Sequence, residues 1–227
     1  MEYTLKNIIR AAKKLGFVVY EKPYKLNIIG VRNSNPINQD KFDDVIAFFY
    51  YDDKGKLIGK VAPATTDPST YFLKNPMTTK GAAILKGGQY IDSHIIGTHA
   101  GKYTALVQRG NLTVYRDNDR DGFTNFANVT ESGLYGINIH RASRGKDNVA
   151  VISKDSAGCQ VFQNEADFDE MMKMAQKSKE VNGNKFTYTL IDERDYIRYR
   201  NTWLVVLGIG VVTFVSVFLL YKKLNKK

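Results

Sequence analysis

The 227-residue chain contains one cysteine, one tryptophan, five prolines and three histidines. A single cysteine forms no internal disulfide, so the fold is not a disulfide scaffold. So few histidines and one cysteine also leave a structural zinc site short of ligands. Internal repeats, low-complexity tracts and a phosphate-binding loop are absent. Asp40, Asp43 and Asp44 have no partner at the spacing that paired-carboxylate glycoside chemistry needs. No secretory signal opens the chain, because MEYTLKNIIRAAKKLG is charged where an apolar core of roughly 7–15 residues is required. The net charge is +10, but four of those charges are lysines in the last six residues. The remaining Lys and Arg residues are scattered among acids, which excludes a nucleic-acid stripe and leaves only weak attraction to anionic surfaces.

One long stretch lacks charge altogether. NTWLVVLGIGVVTFVSVFLLY, residues 201–221, has 21 residues without a charged side chain. A helix rising about 1.5 Å per residue would cross a hydrocarbon layer of roughly 30 Å over that length. Trp203 and Tyr221 stand at its edges, where amphipathic rings favour the headgroup boundary. A transmembrane helix over 203–221, a basic tail over 222–227 and the lipid bilayer as a partner are therefore expected. Lysines 222, 223, 226 and 227 follow the span, and Lys185, Arg194, Arg198 and Arg200 precede it. The counts balance, so the positive-inside rule does not choose an orientation. The closer packing of lysine behind Tyr221 favours a cytoplasmic C-terminus with the domain outside the membrane, whereas the missing signal favours a cytoplasmic domain.

The rest of the chain, 43% hydrophobic overall, is long enough to bury a core. Leu5, Ile8, Ile9, Ala12 and Leu15 recur at helical spacing before Gly16, predicting an amphipathic helix that packs on the domain's own sheet. FVVYE, KLNIIGVR, YGINIH, NVAVIS and KFTYTLID read as strands, and VIAFFYYDDKGKLIGKVA as a hairpin. SHIIGTHAGKYTALVQRGNLTVYRD reads as further strands broken at Gly101 and at Arg109-Gly110. EADFDEMMKMAQKSKE reads as a helix closed by Asn182-Gly183. The expected class is α+β, a mainly antiparallel sandwich or barrel with an N-terminal helix, a helix after the cysteine and the membrane helix. The expected divisions are 1–60, helix and strands packed on the domain; 61–192, the main domain; and 193–202, a juxtamembrane linker.

The chemistry centres on Cys159. A thiolate is the nucleophile, an imidazole can deprotonate it, and backbone N–H groups must face the oxyanion. Ser156-Ala157-Gly158-Cys159 offers a glycine-bent turn with small neighbours, and His140 stands 19 positions upstream at the end of an apparent strand. A buried, inert cysteine is the competing reading. IHRAS…SAGCQV resembles the active-site signature of the L,D-transpeptidase family, a histidine followed after somewhat under twenty residues by Ser/Thr-His-Gly-Cys. TTDPSTYFL is similar to that domain's opening. The pattern TTDP…GTHAGKYTALVQ…VYRD…GINIHRA…SAGCQVF further resembles peptidoglycan-acting proteins of bacteriophages and their hosts.

The resemblance implies a β-rich enzyme acting on peptidoglycan peptide stems by transpeptidation or hydrolysis. It implies Cys159 as nucleophile, His140 as base, the N–H groups of Gly158 and Cys159 as oxyanion donors, and Ser156 shaping the turn. Ala157 and Gln160-Val161 depart from the signature, and a non-catalytic wall-binding or virion protein is the alternative.

His99, Tyr103 and Arg141 are candidate cleft residues, with ordinary packing as the other reading. His94 and His99 are five apart on one strand, which sends their side chains to opposite faces. DNDRDG places Asp117, Asp119 and Asp121 like the start of a calcium loop, but position twelve is Asn128 rather than glutamate. An acidic turn is expected there, with a weak Ca²⁺ site as the alternative, and no other cofactor is expected. Nothing in the sequence decides the oligomeric state.

Overall fold

The computed structural model describes residues 2–35, 40–126, 129–142 and 149–200. The chain is α+β. Its helices are α1 (Leu5–Lys14), α2 (Thr70–Lys74), α3 (Glu165–Asn182) and α4 (Glu193–Arg200). Its strands are β1 (Asn27–Arg32), β2 (Asp44–Tyr51), β3 (Leu57–Thr65), β4 (Ala82–Leu85), β5 (Gly88–His99) and β6 (Tyr103–Gln108). They continue with β7 (Leu112–Asp117), β8 (Thr130–Gly133), β9 (Ile139–Arg141), β10 (Gln160–Phe162) and β11 (Phe186–Asp192). Eight strands close a barrel in the order β1-β11-β5-β6-β9-β10-β3-β2, and β4-β7-β8 form a separate three-stranded sheet. Among the named strands of the described residues, β1–β11 and β9–β10 pair in parallel and the other pairs are antiparallel.

Strand alternation builds two cores, one on each face of the wall. Ile28 of β1 and Ile46 and Phe48 of β2 turn inward with Phe162, Tyr188 and Leu190. Phe168, Met171, Met174 and Ala175 of α3 join that interior cluster. Ile29 and Val31 of β1 and Ala47 and Phe49 of β2 turn outward and meet Ile8, Ala11 and Ala12 of α1 with Tyr196 of α4. Covered on both faces, β1 is buried at every residue. The α1 period thus lies against the sheet, as its spacing predicted, and the helix ends at Gly16, whose φ is +80°. The β2–β3 hairpin, the Gly101 break, α3 with its Gly183 cap and β11 also lie where the sequence placed them.

Several elements differ. FVVYE is not a strand: its backbone is satisfied by side-chain amides instead of a neighbouring ladder. Val18 exchanges hydrogen bonds with the Gln89 amide (2.9 and 2.8 Å), and Tyr20 does the same with Asn27 (2.8 and 2.9 Å). Within NVAVIS, residues 149–153 form no strand, since Ile152 N–H donates to Asp40 O and Val149 O accepts from the Gln163 side chain. Only Ile139–Arg141 of the YGINIH region is extended pairing. The expected boundary at 60/61 falls within β3, and β1 and β2 belong to the same barrel as β5 and β6. The described part of the juxtamembrane segment is helix α4, packed on α1. No described helix is long and apolar enough to cross a membrane. The span expected over 203–221, with Trp203 and Tyr221, lies outside the described residues.

Candidate active site

Parallel pairing of β9 with β10 brings the two halves of the motif together. The register sets Gln160 against Ile139 and Val161 against His140, so Cys159 sits beside Asn138. Its turn needs glycine: Gly158 has φ +120°, and the Ala83 carbonyl occupies the space that a Cβ would take. Ser156 Oγ accepts from Gly158 N–H (3.2 Å) and lies 2.7 Å from Asp67 O and 2.9 Å from Cys159 O. The serine thereby ties the turn to the loop after β3. Gly158 N–H is engaged by Ser156 and is not an open oxyanion donor, contrary to the sequence expectation. The Cys159 N–H meets no acceptor among the described residues.

The thiol is half-buried, accepts from Asn138 N–H (3.4 Å) and reaches Gly136 O (3.5 Å). Among the described residues no hydrogen bond joins it to His140. Burial pushes the thiol up to about 11, against a small opposing effect of the Asn138 N–H. His140 Nδ1 lies 2.8 Å from Arg141 O, and a carbonyl only accepts, so Nδ1 carries the proton and Nε2 the lone pair. Burial, then the neighbouring His99, lowers His140 to about 3. The two imidazoles stack with centroids 4.1 Å apart. Gln108 N–H donates to Asn138 Oδ1 (2.9 Å), which turns Asn138 Nδ2 towards His99 Nδ1 at 3.0 Å. His99 therefore accepts at Nδ1 and is neutral. Near neutral pH the site holds a protonated thiol and two neutral imidazoles.

The three proposed cleft residues do gather here. Tyr103 Oη is 3.3 Å from His140 Nδ1, and the Arg141 guanidinium lies 4.3 Å from the centre of the Tyr103 ring. Arg141 also faces Glu165 at 3.5 Å. A cleft of about 460 Å³ beside His140 is lined by His99, Lys102, Tyr103, Arg141, Lys154 and Asp155. Across the turn, a pocket of about 230 Å³ meets Ala157 and is lined by Phe72, Met77, Leu134, Tyr135 and Arg116.

Sequence reasoning missed the supporting residues. Gln160, noted only as a departure from the motif, is fully buried: it accepts from Tyr188 Oη (2.6 Å) and donates to Gly158 O (3.1 Å). Asn138 precedes His140 by two, just before β9, and both meet His99, a period-2 signal that could have been read. Arg32 gives no local signal. Its guanidinium donates to Leu85 O (2.7 Å), Thr66 O (2.7 Å) and Thr66 Oγ1 (3.0 Å), and pairs with Asp67 at 2.8 Å. Buried Asp44 accepts from Asn33 N–H, Thr66 N–H and Thr66 Oγ1 at 2.6, 2.6 and 2.7 Å. Burial and the charge of Asp67 push Asp44 up to about 7.

His94 and His99 part company. His94 turns into the barrel, 3.0 Å from Ile137 O and 2.9 Å from Ser93 Oγ, and burial lowers it to about 4. The unfolded chain takes up that proton near ~6.5 and the folded chain only near 4, so the stability tied to neutral His94 is lost as the pH falls between them. Asp44, raised rather than lowered, acts in the opposite sense, so the wild-type total is not diagnostic. The stability advantage of wild type over His94→Gln should shrink by about 2 kcal/mol from pH 7 to pH 5 in paired thermal melts. A constant difference would refute a buried neutral histidine.

In the acidic loop, Asp117 accepts from Asn125 N–H (2.7 Å), Asp119 from Asp121 N–H (3.2 Å) and Asp121 from Phe123 N–H (2.7 Å). These oxygens close the turn on its own backbone. Among the described residues, no group of three or more His, Cys, Asp or Glu side chains is disposed to hold a metal. Asn128 lies outside the described residues. A melting temperature unchanged by Ca²⁺ or by chelator is the expected result, and a rise with Ca²⁺ would restore the metal reading.

No protein-family model matches the chain, and no curated protein matches it significantly.

Proposed function

We propose that this chain is a membrane-anchored cysteine enzyme that acts on peptidoglycan peptide stems through a thioester. The observation that carries the proposal is the pairing across β9–β10. It sets Cys159, on a glycine-bent turn with its own N–H unengaged, next to the strand of a neutral His140 whose Nε2 carries the lone pair. In this reading Nε2 takes the thiol proton as sulfur attacks the stem carbonyl, and the developing oxyanion faces the Cys159 N–H. Collapse expels the stem amine, which takes the proton back from His140. A second amine then gives transpeptidation, or water gives hydrolysis. The resting pair is neutral, so the proton moves only during attack.

A second reading is favoured by the same thiol. Its contacts to Asn138 N–H and Gly136 O, its pKa of about 11 and the engaged Gly158 N–H suit a wall-binding or virion protein whose chemistry has lapsed. Incubation with purified sacculi, with products identified by mass, separates the two. New cross-links or trimmed stems support the enzyme, and binding without product supports the second reading.

A further inference from the structure

We infer that the cationic stripe of α1 lies on the anionic headgroups of the membrane in which residues 201–221 are anchored, with the cleft turned away from the bilayer. The inference rests on the membrane anchor of the proposed function. Helix α1 buries Ile8, Ala11 and Ala12. At 3.6 residues per turn, Lys6, Arg10, Lys13 and Lys14 fall within one stripe on the opposite side. No acid interrupts LKNIIRAAKK. Lys13 pairs with Glu21 at 2.6 Å, but Lys6 and Lys14 meet no acid among the described residues.

The stripe stands at the root of the uncharged run. Helices α1 and α4 lie side by side in the same direction. The Tyr3 and Tyr196 rings are 5.0 Å apart, Tyr196 Oη donates to Glu2 O (3.0 Å), and Arg10 Nη1 donates to Arg200 O (3.2 Å). Arg200 immediately precedes the uncharged run. A bilayer entered there meets the α1 flank, and its anionic lipids match unpaired lysines. The two helices cover β1, β2 and β11. In the barrel order β9 is four strands from β1, on the far wall; β9 carries His140, and Cys159 immediately precedes β10 beside it. An α1 face held to the lipid therefore points the cleft outward.

The test uses the full chain in nanodiscs of phosphatidylcholine, with or without added phosphatidylglycerol. Acetylation rates of individual lysines are read by mass spectrometry. Lys6 and Lys14 should react at least threefold more slowly in anionic discs and recover at high salt. Lys102 and Lys154, on the cleft, should react equally in both. Equal rates at Lys6 and Lys14 in a chain that resists alkaline carbonate extraction would overturn the stripe and leave the anchor standing. Slowing of all four lysines would overturn the orientation. Full protection already in zwitterionic discs would indicate a second protein copy on the stripe and overturn the lipid assignment. Release by carbonate would remove the anchor itself, and the inference with it.

Discussion

Replacing Cys159 with alanine should reduce product release from sacculi by ~10⁴-fold or more, because the proposed covalent route loses its only thiol. The fold should survive, since the polar contacts of the sulfur among the described residues are two long ones, at 3.4 and 3.5 Å. His140→Ala should depress turnover by ~10²–10⁴-fold, the usual reach of a general base. The protonation states add a sharper expectation. A thiol at about 11 and an imidazole at about 3 leave both groups neutral from pH 5 to pH 9, so turnover should be nearly flat across that range. Iodoacetamide labelling of the resting protein should instead rise about tenfold per pH unit up to pH 9, following the thiolate fraction. Labelling that is already fast and flat at pH 6 would reveal a preformed thiolate–imidazolium pair. Wild-type turnover in the alanine variant would remove Cys159 from the chemistry.

Arg32→Met should destabilise the domain by about 3–5 kcal/mol, the range for removing one partner of a buried ion pair. At roughly 2–4 °C per kcal/mol for a chain of this size, the melting temperature falls by about 10 °C. The reason is local: Asp67 loses its cation, and the Leu85 and Thr66 carbonyls lose the two 2.7 Å bonds from the guanidinium. Asp67→Asn in the Arg32→Met background should recover part of the loss by removing the uncompensated charge. The contrasting variant is Arg194→Met. Arg194 also pairs with an acid, Asp192, at 2.7 Å, but it is 76% exposed. Solvent screening limits that pair to less than about 1 kcal/mol. Similar losses at both positions would mean that burial does not set the strength of these pairs.

Much of the architecture was legible because it is local. Helix α1 was readable from apolar positions at i, i+3 and i+4 ending at Gly16, and α3 from its long periodic run capped at Gly183. The β2–β3 hairpin was readable from β-rich runs on either side of the turn signal Asp53-Lys54-Gly55. FVVYE misled because β-branched and aromatic residues favour extended backbone without naming a partner. Gln89 and Asn27 supplied its hydrogen bonds from side chains. Strand β10 is three residues long and β4 is four, too short for a period to register. Helix α4 was hidden by its charge: ERDYIRYR shows few apolar residues, and Tyr196 buries fully only because α1 is there to receive it.

The candidate site divides along the same line. The sequence by itself offered the candidate residue types around Cys159 and determined the glycine that lets the turn form before it. Chain-local steric rules and motif spacing carry that much. The β5–β6 and β6–β9 pairings brought His99 and Tyr103 to His140. Only the tertiary structure decided that β9 and β10 run parallel, that Gly158 N–H is engaged by Ser156, and that Asn138 rather than His140 contacts the sulfur. It also decided the charge state, since burial raises the thiol and lowers the imidazole. Desolvation depends on every element packed around a group, and spacing along one chain does not encode it.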